Sequence, residues 1–292
     1  MGLFDDLLNR RKQEQEAKSS KRLPPGQSLT NKFPVLTYGP NARFDVNTWD
    51  MRFFGEVRPK SDEMTYEGEI GVLAADAYQL YNELFWERDY NRVIANASPD
   101  LQEAIRAQAG TTTFDSQEKA AEAVNAVITH PTATKTVSND NMLRWNFEQF
   151  LSLPTVEILT DIHCVTRWSK FDTTWVGVRF RDFCDTFLTV SPQANYVIAH
   201  CDYGYTTNLP IEAMMEEDVL LTYTYEGMPI EPDHGGPVRS FVPQRYFWKS
   251  AKFLRGIEFS ADDKPGFWER NGYHNDGDPF KEERYGSRRG FF

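Results

Sequence analysis

Cysteine is scarce in this chain, and long apolar runs are missing from it. Three cysteines in 292 residues, Cys164, Cys184 and Cys201, are too few for a disulfide scaffold. Apolar stretches such as Val219 to Leu221 fall far short of the roughly 20 residues that a membrane-spanning helix needs. Charged and amide side chains follow the Arg10-Arg11 pair, so this pair does not predict an export signal. These absences predict a cytoplasmic protein that does not enter a membrane.

Basic residues are also few. The chain has 32 Lys and Arg against 43 Asp and Glu, a formal net charge of −11. A protein that follows nucleic-acid phosphates needs basic clusters, so the composition argues against nucleic acid as a partner. The acidity is local, because residues 60–125 contain 13 acidic and 5 basic side chains.

Most short chemical signatures are absent. The sequence has no phosphate-binding Gly-x-x-x-x-Gly-Lys-Ser/Thr loop, no Gly-x-Gly-x-x-Gly, no His-Glu-x-x-His and no Cys-x-x-Cys. The pairs His163-Cys164 and His200-Cys201 permit a structural zinc site, since zinc prefers thiolate and imidazole ligands. If these pairs lie on strands, however, neighbouring side chains point to opposite faces, and each pair offers one ligand only.

Local patterns divide the chain into an N-terminal segment, a helical stretch and a strand-rich part. Residues 1–21 are predicted to be flexible, with a short helix around Leu3, Phe4, Leu7 and Leu8 that continues into a charged tail. Met51 to Val57 predicts a first strand. We expect residues 22–292 to form one domain, interrupted by a helical insertion at about 60–140.

Three helices are predicted within this insertion. The first has an apolar face from Val72 to Phe85, the second begins at Ser98-Pro99, and the third covers Ala120 to Ile128. Asp115 and Glu118 resemble a capping box for the third helix. That helix should end before His130-Pro131, because a residue that precedes proline avoids the helical region.

After residue 140, short β-rich runs alternate with turns. Strands are predicted at Asn195 to Cys201, Asp218 to Tyr223 and Val238 to Val242, and an irregular arm from Lys264 onward. The chain therefore has the pattern of an α+β protein with mixed β-sheets.

Four blocks of unusual residues fall at predicted chain bends. They are Asp161 to Ser169, His200 to Asn208, His234 to Arg239 and Tyr246 to Lys252. Together with Pro265 to Phe280 and the opening Arg22 to Gln27, they resemble the cytoplasmic branch of the sulfite oxidase-like molybdopterin oxidoreductases. The resemblance covers residues 22–59 and 141–285 and implies the sulfite oxidase-type fold.

The resemblance implies a molybdenum–molybdopterin cofactor. The protein ligand of the metal corresponds to Cys164, and a soft thiolate suits such a metal. Cys201 falls near a position that contacts the pterin. The other positions that correspond to cofactor contacts are Thr37, Tyr38, His234, Arg239, Ser250 and Lys252.

A catalytic role is implied for Tyr205, which precedes Pro210 by the spacing of the active-site tyrosine in sulfite oxidases. Leu36 and Ser169 stand where sulfite oxidases have arginines around the substrate anion, and Arg167 is a possible replacement. We therefore expect two-electron oxygen-atom transfer on a small sulfite- or sulfoxide-like substrate, and the sequence does not set the direction. A separate partner would exchange the electrons, because no haem-attachment motif is present. The acidic insertion is either the docking surface for this partner or a solvated cover that extends the fold. Two alternatives are a non-catalytic molybdopterin-binding module and a zinc-stabilised interaction protein.

Overall fold

The computed structural model of the protein describes residues 3–61, 65–70, 73–129, 133–138 and 143–286. These residues form two mixed β-sheets, two smaller two-stranded sheets and a set of helices. The helices are α1 (Leu3–Ser19), α2 (Ala74–Trp86), α3 (Tyr90–Ala95), α4 (Pro99–Ala109), α5 (Gln117–Thr129), α6 (Phe147–Leu151), α7 (Phe180–Phe187), α8 (Ile211–Met214) and α9 (Phe267–Arg270). Single turns of 3-10 helix lie at Asp202–Gly204, Pro232–His234 and Phe247–Lys249.

The strands are short and follow one another closely after residue 143. They are β1 (Ser28–Leu29), β2 (Asp50–Gly55), β3 (Val57–Pro59), β4 (Thr65–Ile70), β5 (Ala133–Ser138), β6 (Arg144–Asn146), β7 (Val156–His163), β8 (Trp168–Arg179), β9 (Leu188–Val190), β10 (Tyr196–Cys201), β11 (Thr206–Pro210), β12 (Leu220–Tyr225), β13 (Met228–Pro229), β14 (Arg239–Phe241) and β15 (Leu254–Ser260).

Both larger sheets mix parallel and antiparallel neighbours. One has the order β1-β8-β12-β13, with β7 paired to β8 and β14 paired to β12. The other has the order β11-β10-β15-β2-β6. The pairs β1–β8 and β2–β15 are parallel, and each joins an N-terminal strand to a strand far along the chain. The predicted α+β class with mixed sheets is confirmed.

The main hydrophobic core is rich in aromatic side chains. Phe53 of β2 stacks on Phe183 of α7 with ring centroids 4.4 Å apart, and Trp145 meets both rings edge-on. All three side chains are buried. Burial of apolar surface is favourable by roughly 25 cal/mol per Å², so side chains of this size supply much of the stability of the core.

The described part of the acidic stretch contains four helices, one more than the sequence predicts. Helix α3 was missed because six residues are too few for a clear helical period. Helix α4 begins as predicted, since the Ser98 side chain accepts a hydrogen bond from the Leu101 N–H and Pro99 occupies the first turn. Helices α2 to α5 share a core of their own, and Tyr78 of α2 reaches the main core, where its hydroxyl donates to the Tyr223 carbonyl.

The predicted capping box of α5 is wrong in detail. Ser116 caps this helix, because its hydroxyl accepts from the Lys119 N–H, whereas the Asp115 carboxylate pairs with the Lys119 ammonium. The helix is described as far as Thr129, so its expected end before His130-Pro131 stays a prediction. Those two residues and Val72 lie outside the described residues.

Helix α1 is longer than expected and extends through the charged stretch to Ser19. Glu, Gln, Lys and Ala favour helix, which explains the extension. Its last part is anchored, because Ala17 packs with Leu23 and Leu29, and the Leu29 N–H donates to the Glu14 carboxylate.

The three strands predicted after residue 190 are confirmed as β10, β12 and β14. The C-terminal arm, residues 264–286, is irregular apart from α9 and an isolated bridge between Tyr273 and Tyr285. No helix within the described ranges has the length and apolar character needed to cross a membrane.

Candidate active site

A cavity of about 430 Å³ lies where several loops meet above the ends of the two sheets. The loops come from distant parts of the sequence, including the extended segment 33–40, the turn after β7, the turn after β10 and the arm. Eight of the nine residues predicted for the site line this cavity: Thr37, Tyr38, Cys164, Tyr205, His234, Arg239, Ser250 and Lys252.

Cys164 occupies the first position after β7 and is buried. A tight turn fixes its backbone, because its N–H donates to the Trp168 carbonyl and its carbonyl accepts from the Arg167 N–H. The Gln27 side-chain amide also donates to the Cys164 carbonyl, at 2.9 Å. Burial raises the pKa of the thiol, while the Thr166 hydroxyl, 3.1 Å from Sγ, opposes this shift. The protein thus presents one fixed sulfur to the cavity.

Arg239 brings a fully buried positive charge to the cavity. Its guanidinium donates to the His234 carbonyl at 2.7 Å and the Ser250 carbonyl at 2.6 Å, and it lies 4.2 Å from the ring centre of Phe247. No carboxylate within the described residues pairs with it, and burial lowers its pKa to about 9. A buried cation without a counter-ion is costly, so this position favours binding of an anion.

Lys252 adds a second cation beside Arg239. Its ammonium donates to the carbonyls of Leu36 and Asp233, and burial together with the charge of Arg239 lowers its pKa to about 7. Gly235 lies against the Lys252 side chain, where a Cβ would approach to 2.6 Å. Burial and the same cations lower the pKa of His234 to about 4. The imidazole is therefore neutral at pH 7.

Tyr205 follows the turn at Asp202–Gly204, so its ring enters the cavity beside the arm. Its hydroxyl donates to the Trp248 carbonyl at 3.1 Å, and its ring lies 5.9 Å from that of Phe267. Burial, with the nearby charge of Glu269, raises its pKa well above 10. The phenol is consequently protonated and able to donate a hydrogen bond at neutral pH.

The mouth of the cavity is apolar and aromatic. Leu36 and Tyr38 are largely exposed there, and the Tyr38 ring packs on Phe267 at 4.7 Å and edge-on to Trp268. Thr37 lies between them in the lining. An apolar surface of this kind accepts a neutral group more readily than a small anion.

Cys201 is the predicted site residue that does not line the cavity. It is buried in the main core at the end of β10, and its N–H donates to the Tyr205 carbonyl, which closes the turn that carries Tyr205. Ser169 is also away from the cavity, hydrogen-bonded to His163. The Arg167 guanidinium lies next to Gly26 and outside the lining, so it does not replace the arginines expected around a sulfite anion.

Several residues that shape the site were not singled out from the sequence. Gln27 and Arg284 hold the Cys164 loop from opposite ends of the chain, and Phe33, Trp248 and Glu269 fix the walls. Gln27, Trp248 and Glu269 lie within the quoted motifs, and this was the sequence signal that could have identified them as site residues. Their contacts depend on chain segments that lie far apart, and local patterns do not report such contacts.

The zinc alternative finds no support in the arrangement of ligands. Within the described ranges, no three His, Cys, Asp or Glu side chains come together in a way that could bind a metal ion. His200 is bonded to Glu258 at 2.9 Å, and His163 to Ser169 at 2.8 Å. The two His-Cys pairs therefore do not combine into one site.

Comparison with known proteins gives a consistent set of matches. The family model described as the oxidoreductase molybdopterin binding domain matches residues 132–268. The uncharacterized oxidoreductase YuiH of Bacillus subtilis is 47% identical over 146 residues, which cover 50% of this chain and 73% of that protein.

Two further relatives are more distant. The protein-methionine-sulfoxide reductase catalytic subunit MsrP of Campylobacter jejuni is 27% identical over 143 residues, which cover 44% of this chain and 48% of that protein. Human mitochondrial sulfite oxidase is 30% identical over 111 residues, which cover 34% of this chain and 20% of that protein. Each of these two matches thus spans less than half of this chain and less than half of the relative.

Proposed function

Because the chain belongs to the sulfite oxidase-like family of molybdopterin-binding oxidoreductases, we propose that it transfers an oxygen atom, with two electrons, between a small sulfur compound and water. One observation carries this proposal. A single cavity brings together a buried thiol, a protonated phenol and two cations from four separate motifs, namely Cys164, Tyr205, Arg239 and Lys252.

The residues present fit the family's molybdenum–molybdopterin cofactor. Arg239 is a buried cation that lacks a carboxylate partner within the described residues, and Lys252 lies beside it, as a phosphate group requires. At Gly236, a Cβ would approach the Ile230 carbonyl to 1.8 Å, so only glycine allows this turn beside the cavity. The Cys164 thiol supplies a soft ligand.

Each residue has a defined part in this proposal. Cys164 would bind the metal, Arg239 and Lys252 the phosphate, and Thr37, Tyr38, His234 and Ser250 would contact the pterin. When bound, the cofactor supplies a centre that exchanges two electrons and an oxygen atom. Tyr205 would donate a hydrogen bond to the oxygen that moves, since its raised pKa keeps the proton on the phenol.

We infer that the substrate is a neutral sulfoxide. Leu36 occupies the mouth and Arg167 lies outside the lining. The two cations of the described lining, Arg239 and Lys252, are the ones that this proposal assigns to the cofactor. A sulfite anion would then lack a cation of its own, whereas the aromatic mouth suits an uncharged sulfoxide. Reduction consumes two electrons and two protons and yields a sulfide and water. Relatives named as protein-methionine-sulfoxide reductases are compatible with this direction.

The proposal is tested with protein produced in a host that makes the cofactor. Molybdenum and released pterin are measured, followed by oxidation of a reduced viologen with methionine sulfoxide and, separately, reduction of ferricyanide with sulfite. We expect about one molybdenum per chain and turnover with the sulfoxide. Sulfite turnover alone would reverse the substrate assignment, and a metal-free protein without turnover would favour a non-catalytic binding module.

A separate electron-transfer partner is proposed to dock on the acidic helices, which we regard as an insertion at about 60–140 in a single domain of residues 22–292. Exposed carboxylates such as Glu103 of α4 and Glu122 of α5 lie on these helices, and complementary charge speeds protein association. Deleting the helices would also remove Tyr78 from the main core, so neutralising their charges is the sharper test.

The test compares the charge-neutral pair E103Q/E122Q with a matched pair of exposed glutamates elsewhere, E212Q/E216Q. With the cell's own electron donor, we expect the first pair to lower the rate at low salt and the second to leave it unchanged. Both pairs should keep wild-type turnover with a small viologen. Equal rates of the two double variants with the native donor would show that the electron-transfer partner does not dock on these helices.

We also propose a cytoplasmic location, because the three cysteines, all buried, are free and a reducing compartment keeps them so. Fractionation of cells that express the chain at its native level is the corresponding measurement. Recovery outside the cytoplasm would contradict this location.

A further inference from the structure

A buried ion pair lies behind the wall of the cavity. The Lys249 ammonium and the Glu269 carboxylate are 2.6 Å apart, with side-chain exposures of 0% and 2%. Lys249 also donates to the Asn208 carbonyl at 2.7 Å. The pair joins three segments, because Lys249 lies in the turn Phe247–Lys249, Asn208 in β11 and Glu269 in α9 of the arm.

The same carboxylate holds the residue next to Lys249. Glu269 Oε1 accepts from the Trp248 indole N–H at 2.9 Å and from the Thr207 hydroxyl at 3.2 Å. The Trp248 carbonyl, in turn, accepts the hydrogen bond of the Tyr205 hydroxyl at 3.1 Å. A continuous series of contacts therefore runs from Glu269 through Trp248 to the phenol in the cavity.

The ion pair also fixes the arm against the cavity. Phe267 and Trp268, which precede Glu269 directly, line the cavity, and Phe267 contacts both Tyr205 and Tyr38. Buried ion pairs are inefficient stabilisers, since desolvation offsets most of their attraction, but their geometry is specific. Three segments are hydrogen-bonded around the Glu269 carboxylate, an arrangement that is suited to hold the arm in one position against the cavity.

We propose that Glu269 and Lys249 are positioning residues for Tyr205. Glu269 fixes the Trp248 indole, the Trp248 carbonyl fixes the Tyr205 hydroxyl, and Lys249 compensates the buried charge of Glu269. The kinetic part of the test rests on the proposed function, while the spectroscopic part does not.

The kinetic test is a double-mutant cycle between Glu269 and Tyr205. E269Q keeps the size of the side chain but leaves Lys249 without its counter-ion, and Y205F removes the hydroxyl. We expect E269Q to lower kcat by about tenfold or more, since small misplacements of a reacting group have large effects. In the Y205F background, E269Q should lower kcat no further, because the hydroxyl it positions is gone. Losses that multiply in the double variant would show that Glu269 does not act through Tyr205.

The spectroscopic test uses the protein with and without cofactor. Tyrosine labelled with ¹³C at Cζ gives a resonance for Tyr205, which is assigned by its absence from Y205F. We expect this resonance to shift in E269Q and to stay in place in E212Q, a change at an exposed glutamate of α8. An unchanged Tyr205 resonance in E269Q would overturn the proposal, whatever the turnover of the enzyme.

A second variant covers the case in which E269Q does not fold. W248F removes the indole donor to Glu269 and leaves the ion pair intact. We expect W248F to shift the Tyr205 resonance and to show the same lack of additivity with Y205F. A W248F protein with wild-type kcat and an unshifted Tyr205 resonance would show that the contacts through Trp248 do not position Tyr205. If the wild type reduces no sulfoxide while its Tyr205 resonance still responds to W248F, the proposed function fails and the positioning stands.

Discussion

Phe33 lies face to face with His234, with ring centroids 3.9 Å apart and an angle of 12° between the planes. This contact joins the extended segment 33–40 to the turn at Pro232–His234, so two walls of the cavity are fixed to one another. Phe33 also approaches Trp175 and Phe247. The N-terminal part of the chain therefore completes the site from outside the two sheets.

Replacing Cys164 by serine should remove molybdenum-dependent activity and leave the protein folded. A hydroxyl is a harder and less acidic ligand than a thiol, so metal binding suffers. Molybdenum content, turnover and a thermal unfolding curve measure the effect. C184S is the matched control, because Cys184 is a buried thiol of α7 outside the cavity lining. Full activity of C164S would refute the assignment of the metal ligand.

Replacing Arg239 by methionine should lower the affinity for the cofactor. The change removes a charge-assisted contact to an anion, a contact typically stronger than 1.5 kcal/mol, or roughly tenfold or more in affinity. Released pterin per chain is the measurement. R181M, a change at a surface arginine of α7 that pairs with Glu217, should keep wild-type pterin. Equal pterin in R239M and the wild type would show that Arg239 does not hold the anion.

The free energy of unfolding of the apoprotein should decrease as the pH is lowered, and His163 should account for part of this decrease. Burial lowers the pKa of this histidine from 6.5 to about 4, although Asp161 opposes the shift. The unfolded chain therefore takes up the proton first, so the stabilising effect is complete above pH 6.5 and is lost as the pH falls toward 4. The expected loss is about 3 kcal/mol.

Urea unfolding of the wild type and H163Q between pH 7 and pH 4 isolates this contribution. H163Q should be the less stable protein at pH 7, and the difference should narrow toward pH 4. The two proteins contain the same carboxylates, so the titration of these groups contributes equally to both free energies of unfolding and cancels in the difference. A difference independent of pH would mean that His163 takes up its proton equally in the folded and unfolded states.

Gly235→Ala should reduce cofactor binding much more than Gly227→Ala. Both glycines have positive φ, +96° and +76°, so both substitutions carry the same kind of backbone strain, about 1–2 kcal/mol. At Gly235 the added Cβ would also approach the Lys252 side chain to 2.6 Å, whereas nothing lies within 4 Å at Gly227. Urea unfolding of both variants measures the backbone strain, and pterin content measures the effect of displacing Lys252. Equal pterin in the two variants would contradict the role of this contact.

The sequence predicted what local patterns and motifs can report. Strand β10 and the start of α4 follow from alternation and from a capping serine before proline. Motif resemblance pointed to eight residues that line the cavity and to Cys201, which does not line it. Helix α3 escaped notice because it is one short turn and a half. The parallel pairing of β2 with β15 was out of reach, since pairing across some 200 residues depends on packing and not on local preference.

The site shows the same division. Arg239 and Lys252 were predicted as cofactor contacts, but the isolation of Arg239 from every described carboxylate became visible only in three dimensions. Glu269 lies in a quoted motif, yet its contact with Lys249 joins residues twenty positions apart, with strand β15 between them. No periodicity encodes such a contact.

Arg284 donates to the Val165 carbonyl at 2.7 Å and the Pro25 carbonyl at 3.2 Å, so a residue near the C-terminus closes the loop of Cys164 against a residue near the N-terminus. During synthesis on the ribosome, this closure must wait until residue 284 has left the exit tunnel. The loop that carries Cys164 can therefore reach this closed form only after residue 284 has been translated, although every other described residue that contacts the loop precedes it in the order of synthesis.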